Sequence, residues 1–399
     1  MPALRVLQVT PYYAEAWAYG GVPRAATALA RGLARRGHAV TVCTTDAAEP
    51  AARAQGLPGA DNVSVRVFPN VSNALAYHLQ LFLPRGMDRW LAEHAADFDV
   101  AHLHACHNVP TARAARRLRA AGVPYVLSPH GTAPRIERRR ALKWMFDHTV
   151  GRGVLEGAAR LLAVSEAERR QLLALGAPAA AIEVVPNPVE LADFIAIPRG
   201  RFRTARRLAG RRLVLFLGKL TPRKRLDVVI DAFAALGDEA ATLVIAGNDL
   251  GAGAEARRHA ERRGVASRVV FTGLLRGAER LEALADADVV AYPSRDEVFG
   301  LVAVEALLAG TPVIVADDSG CAEVSAATGG GRVVAQGDAA ALAAAVRDVL
   351  AAPERYQVAE ADRRIRAWLA SDAIAARVET VYEALAAPRL PLAATPTPR

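Results

Sequence analysis

The sequence predicts an α/β protein made of two doubly wound, Rossmann-like domains in tandem, facing each other across a cleft. Three observations predict it. Short Val/Ile/Leu runs alternate with Ala/Arg/Leu stretches of helical length. The alternation stops at a stretch rich in arginine and then restarts. A chain of 399 residues also exceeds what one core normally serves.

In the first half, "RVLQVT" reads as a strand, "VPRAATALARGLARRG" as a helix, and "HAVTVCT", "VSVRVF" and "DVAHLH" as further strands. A helix near Thr111 to Ala121, then "PYVLSPHG", "RLLAVS" and the helical "EAERRQLLALG" complete the pattern. Strands separated by helices of this length argue for a parallel sheet covered on both faces. "AIPRGRFRTARRLAGRR" reads as a polar linker, after which "LVLFLG", "ATLVIAG", "RVVFTG", "DVVAYPS", "PVIVAD" and "GRVVA" give a second set of strands. The domains are expected at residues 1–195 and 205–370, with a last helix at 371–387 returning to the first domain and a flexible tail at 388–399. Two such sheets place a cleft between their rows of strand carboxyl ends, where folds of this class bind ligands.

Apolar residues make up 52% and charged residues 23%, a globular balance. No apolar run is long enough to span a bilayer, and "MPALRVLQVTPYY" lacks the parts of a signal peptide, so a cytosolic protein is expected. The three cysteines, Cys43, Cys106 and Cys321, form no C-x-x-C pair and are expected as thiols. The net charge of +9 fits nucleic acid, anionic membrane or phosphorylated substrates alike. No helix-turn-helix, zinc finger or aromatic RNA-binding signature supports nucleic acid. Only three of the 50 basic residues are lysine, Lys143, Lys219 and Lys224, and two of these share "LGKLTPRKRLD".

The chemistry concentrates in loops after strands. In "RDEVFGLVAVEALLAGTPVIV" a short helix follows the loop, and the backbone N–H groups around Phe299, Gly300 and Leu301 have no helical partners. A phosphate suits that position, and Gly300 lets it approach. Glu297 before the helix and Glu305 one turn inside it can bracket a pyrophosphate and accept hydroxyl groups at either end; by spacing alone, an arginine partner for Glu305 and a solvated Glu297 are equally open. In "FLGKLTPRKRLD", Lys219, Arg223 and Lys224 crowd a helix start, which opposes the helix dipole unless an anion sits among them. A solvated basic loop is the competing reading. This is no P-loop, because position 213 is leucine. Gly20 and Gly21 open another helix after the first strand, and His130 and Gly131 follow "YVLSP" at the cleft edge. A lone histidine is more often structural, but a strand's carboxyl end favours function.

Two stretches imitate metal sites. "AHLHACHN" puts His102, His104 and Cys106 on one strand face with His107 adjacent, but lacks helix or knuckle geometry and reads as an ordinary strand. Asp286 and Asp288 imitate a D-x-D pair at a strand's start and read as a surface turn. No metal is expected.

With "GGVPR", "SPHG", "VPNPV", "GKLTPRK", "FTG" and "EVFGLVAVEALLAGTPVI" in this order, the chain resembles the retaining glycosyltransferases of family 4 over nearly its whole length. The resemblance implies the GT-B fold and transfer of a hexosyl unit from a UDP- or GDP-linked sugar, without metal or organic cofactor. It implies that Glu305 holds the ribose, that Glu297, Phe299, Gly300 and Leu301 face the donor sugar and diphosphate, and that Lys224 binds the diphosphate. Gly21 approaches the diphosphate from the other domain, and His130 lies near the transferred sugar. Lys219 stands where members commonly carry arginine, turning a fork into a point charge. Gly320-Cys321 stands where many show Gly-Gly, before the matching Glu323.

The acceptor is expected to be a sugar, a lipid-linked sugar or a small molecule. "APRIERRRALKWMFDHTV" has one apolar and one arginine-rich face, which suits either core packing or peripheral contact with an anionic membrane. A nucleotide-sugar epimerase and a non-catalytic nucleotide-sugar-binding protein are the alternative functions.

Overall fold

The computed structural model describes residues 3–14, 16–49, 52–54, 62–134, 144, 146, 149 and 151–386. Two parallel sheets organise them. The first contains β1 (Arg5–Val9), β2 (Ala39–Thr45), β3 (Val63–Phe68), β4 (Val100–His104), β5 (Tyr125–Ser128), β6 (Arg160–Ala163) and β7 (Ile182–Val184). Its order is β3-β2-β1-β4-β5-β6-β7. The second contains β8 (Arg212–Leu217), β9 (Ala241–Ala246), β10 (Val269–Gly273), β11 (Val289–Tyr292), β12 (Val313–Ala316) and β13 (Gly331–Val334), ordered β10-β9-β8-β11-β12-β13. These are the two doubly wound domains of the GT-B architecture.

Continuous apolar strands explain the layers. All six residues of β9 and five of six in β8 are buried, which needs helices on both faces of the sheet. In each sheet the order reverses beside the first strand, between β1 and β4 and between β8 and β11, leaving a crevice at the carboxyl ends.

The stretch read as a polar linker is a folded part of the second domain. It carries the helix Arg201–Ala205, whose Phe202 is 1% exposed. The Asp286–Asp288 pair anchors it, so that pair is no surface turn. Asp286 is buried and accepts from the Gly200 and Arg203 backbone, while Asp288 pairs with Arg203 at 2.9 Å. Arginine composition reads as solvated, but here backbone amides hold the buried Asp286 carboxylate and the Arg203 guanidinium holds the half-buried Asp288.

The helix Ser371–Ala386 lies against the first domain's helix Gly21–Arg35. Its Tyr382 is fully buried, Asp372 accepts from Arg35 at 2.7 Å, and Glu379 bonds His38 at 3.0 Å. Most of the amphipathic stretch 133–150 and the tail 388–399 lie outside the described residues; Trp144 is 53% exposed. Among the described residues no helix is long and apolar enough to cross a membrane.

Candidate active site

The carboxyl ends of β8 and β11, neighbours at the crevice of the second sheet, supply two loops, Gly218–Lys224 and Pro293–Gly300. From the first domain the turn after β1 and the turn after β5 descend to meet them. Between the four lies a cavity of about 210 Å³ lined by Gly21, His130, Lys219, Arg223, Lys224, Glu297, Phe299, Gly300 and Leu301. Arg24 and Arg280 line it too, and Glu297 is the one acid among the described lining residues.

Lys224 and Glu297 form its polar centre. Lys224, 6% exposed, donates from Nζ to Glu297 Oε2 and to the Tyr292 hydroxyl, and lies 4.6 Å from the Tyr292 ring centroid. Tyr292 and Ser294 also donate to Glu297 Oε2, at 3.1 and 3.2 Å. Burial alone raises a carboxyl pKa; here the charges of Lys224 and Arg223 and these bonds outweigh it and hold Glu297 at about 2. Glu297 is therefore neither solvated nor isolated, and in this state its carboxylate is the anion among the loop's cations. Arg223 donates to the Asp296 carbonyl at 3.0 Å, joining the two loops.

Gly300 caps the helix Leu301–Leu308 with φ at 69°, a left-handed conformation that suits glycine. A Cβ there would lie 2.0 Å from Cys321 Sγ. Cys321 thus backs the helix start, and the neighbouring Gly320 N–H bonds the Glu297 carbonyl at 2.6 Å. On the opposite wall a Cβ on Gly21 would lie 3.0 Å from Leu301 Cδ1, so the glycine permits the domains to meet. Lys219 Nζ donates across the cleft to the Tyr19 carbonyl at 3.0 Å, and Asn248 to the Ala18 carbonyl at 3.0 Å.

Glu305 does not line this cavity. It is 3% exposed and clasped from both domains, by Arg24 Nε at 2.9 Å and by Arg280. Trp17 lies under both guanidiniums, 5.9 and 5.4 Å from its ring centroid. The arginine partner left open by the spacing is thus present twice. Burial and the charge of Arg280 lower Arg24 to about 10, against the pull of Glu305.

His130 also occupies left-handed backbone, φ 52°. The following amide, Gly131 N–H, donates to Glu168, whose other oxygen accepts from Val164 N–H at 2.8 Å. Glu168 is fully buried, and burial raises its carboxyl to about 7. The helix that carries it, Glu166–Ala174, is capped from the second domain: Glu323 accepts from the Glu166 and Ala167 amides at 2.9 and 2.8 Å.

The "AHLHACHN" histidines are committed elsewhere. His102 bonds the Tyr382 hydroxyl at 2.6 Å and Ser128 Oγ at 2.7 Å; His104 Nδ1 bonds His130 Nε2 at 3.1 Å. β4 ends at His104 and Ala105 turns to φ 65°, so Cys106 leaves the strand face it was expected to share.

Sequence reasoning did not single out Arg24, Arg280, Trp17, Tyr292 or Glu168. Arg24 and Tyr292 stand in the quoted "GGVPR" and "DVVAYPS" and could have been found by their place after a strand or turn. Arg280 and Glu168 sit in ordinary amphipathic helices and carry no local signal.

Sequence comparison matches residues 19–193 to Glycosyltransferase Family 4 and residues 201–365 to Glycosyl transferases group 1. A phosphatidyl-myo-inositol mannosyltransferase of Mycobacterium leprae is 32% identical over 96% of this chain and 97% of its own length. A D-inositol 3-phosphate glycosyltransferase of Mycolicibacterium gilvum is 38% identical over 41% of this chain and 38% of its own. Among solved structures, Anabaena Alr3699/HepE in complex with UDP and glucose superposes with a TM-score of 0.76 at 19% identity, covering 96% of this chain and all of that one. Sucrose-phosphate synthase of Thermosynechococcus elongatus gives 0.73 at 21% identity, covering 96% and 99%. With a full-length relative above the level at which family is shared, and both halves matched, the chain belongs to the group 1 glycosyltransferases of the GT-B fold.

Proposed function

We propose that this glycosyltransferase moves a hexosyl unit, with retained anomeric configuration, from a UDP- or GDP-linked sugar to an acceptor hydroxyl, without metal or organic cofactor. One observation carries the reading. Lys219, Arg223 and Lys224 from one loop, the Gly300 helix start from the next and the Gly21 turn of the other domain line a single cavity. That arrangement suits a diphosphate.

In the reaction the acceptor oxygen bonds the anomeric carbon while the bond from that carbon to the β-phosphate oxygen breaks. The electron pair leaves with the nucleoside diphosphate, which takes up the acceptor's proton. The three cations and the helix start stabilise the departing charge. Lys219 contributes a point charge and not a bidentate fork. Glu297 holds Lys224 in place and faces the sugar hydroxyls, and His130 lies beside the transferred sugar. Glu305 accepts the ribose hydroxyls in exchange for its bond to Arg24, keeping Arg280, of its own domain, as partner.

The relatives named for inositol-bearing acceptors support an inositol or another polyol, lipid-linked or free. The name of the Mycobacterium leprae relative also supports mannose as the hexose. A cytosolic location, with contact to an anionic membrane when the acceptor is lipid-linked, belongs to the same reading. Salt-insensitive absence of binding in liposome flotation would remove the membrane part.

The test is a panel of UDP- and GDP-hexoses, with and without polyol acceptors and with EDTA, read by mass spectrometry and NMR. A glycoside with the donor's anomeric configuration, formed in EDTA, is expected. An epimerised donor formed without acceptor would favour an isomerase, and binding without turnover a non-catalytic protein.

A further inference from the structure

Glu168 does not line the donor cavity, yet it holds one of the turns that do. The stretch "VSEAE", Val164 to Glu168, has the form of a capping box: Ser165 Oγ accepts from Glu168 N–H at 3.1 Å and starts the helix Glu166–Ala174. In such a box the glutamate side chain returns to its own helix start. Here one oxygen does so, accepting from Val164 N–H at 2.8 Å, while the other leaves the helix and accepts from Gly131 N–H in the turn after β5. One carboxyl group thus joins the turns at the carboxyl ends of two neighbouring strands, β5 and β6.

We propose that Glu168 is a positioning residue for sugar transfer, holding the His130–Gly131 turn against the Glu297–Gly300 loop so that the first domain presents a fixed wall to the transferred sugar. The proposal rests on the reading of that turn as the sugar's neighbour.

The turn needs holding. His130 and Gly131 both have positive φ, 52° and 74°, and a histidine in left-handed backbone persists only where its surroundings impose it. The turn is also where the domains touch: a Cβ on Gly131 would lie 2.9 Å from Val298 Cγ2, and His130, Gly131 and Val298 all line the cavity. A small shift of the turn is therefore felt in the loop that carries Glu297.

The choice of residue points the same way. Glu168 is fully buried, and among the described residues its side chain is held by two backbone amides and by no cation, a desolvation cost that an apolar side chain would not incur. A helix cap needs only one acceptor. Two N–H groups arriving from two turns need an acceptor at both ends of one group, which a carboxylate offers and an amide does not. The support is itself fixed, because Glu323 of the second domain caps the same helix through the Glu166 and Ala167 amides.

The experiment measures transfer by the full-length protein at pH 8, where the Glu168 carboxyl, raised to about 7, is ionised. Each variant is assayed well below its melting temperature. Glu168→Gln keeps one acceptor and should lower kcat about tenfold, and Glu168→Met, which keeps none, about a hundredfold, the scale of one and two hydrogen bonds. The Kd for UDP or GDP should stay unchanged, because the turn faces the sugar. Glu168→Asp keeps the charge but is too short to reach both amides, and its kcat should fall with that of Glu168→Gln. The Gly131 amide proton, drawn downfield by its carboxylate acceptor, should move upfield in Glu168→Gln. Folded Gln and Asp variants with wild-type kcat, or a nucleotide affinity that falls as far as kcat, would overturn the positioning role, and those two variants decide it even where Glu168→Met does not fold. Absence of sugar transfer by the wild-type protein from any donor would overturn the donor-site reading together with this role, whereas wild-type transfer with unaffected variants overturns the role alone.

Discussion

Lys224 and Glu297, carried by the loops after two neighbouring strands, share one hydrogen-bonded contact at the centre of the cleft, with the Tyr292 hydroxyl bonded to both. Under the proposed function, a diphosphate entering the site would compete with Glu297 for that ammonium. Removing either partner leaves the other charge buried without its counter-ion. Lys224→Met should lower kcat by roughly 10²–10³ and weaken nucleoside diphosphate binding. Glu297→Ala should abolish transfer while nucleotide affinity, measured by calorimetry, stays largely intact. Unchanged turnover in the glutamate variant would contradict its assignment.

Gly300 tests the helix start sterically. Gly300→Ala introduces a Cβ 2.0 Å from Cys321 Sγ at a backbone φ of 69°. It should destabilise the protein by roughly 2–4 kcal/mol in thermal or denaturant unfolding. Cys321→Gly in the same chain should recover the steric part and leave the backbone part. Equal stability of the single and double variants would refute the account of this contact.

Glu323 links the domains by capping the helix Glu166–Ala174 from across the cleft. Glu323→Ala should loosen the closed arrangement, raising the radius of gyration in small-angle scattering without unfolding either domain. Loss of one helix cap costs about 1 kcal/mol, enough to shift a balance between closed and open forms severalfold. Scattering curves identical to the wild type would exclude a latch at this position.

Glu168 gives a pH dependence of stability. Its carboxyl is raised from 4.5 to about 7 in the folded state, burial being the main cause. Between those values the folded protein binds more protons here than the unfolded chain, so stability falls as pH rises through the interval. The contribution is fully present below about pH 4.5 and is lost above about pH 7, an amount on the order of 3 kcal/mol. Glu168→Gln should flatten that part of the curve, though it surrenders one acceptor for the Gly131 or Val164 amide. Retention of the full slope would assign it to other groups.

The strand pattern made both sheets legible, because a parallel sheet buried on two faces needs apolar runs such as "LVLFL" and "TLVIA". Short elements were less so: the strand Ile182–Val184 and the helices Asn73–Leu79 and Met87–His94 carry too little periodicity to stand out. The site loops were legible where residue type and strand end coincide, as at Lys224, Glu297 and Gly300. Glu305 shows the boundary. Its burial in the helix could be read, but its two arginine partners lie 281 and 25 residues away, and only the fold brings them together. The histidines of "AHLHACHN" were visible as a cluster, yet their bonds to Tyr382 and His130 depend on the returning C-terminal helix and the neighbouring strand.

A crystal structure with bound UDP- or GDP-sugar tests the central claim most directly. The β-phosphate should lie within hydrogen-bonding distance of Lys224 Nζ and of the backbone amides at Gly300 and Leu301, with the sugar towards His130 and Glu297. A diphosphate bound anywhere else on the protein would contradict the account.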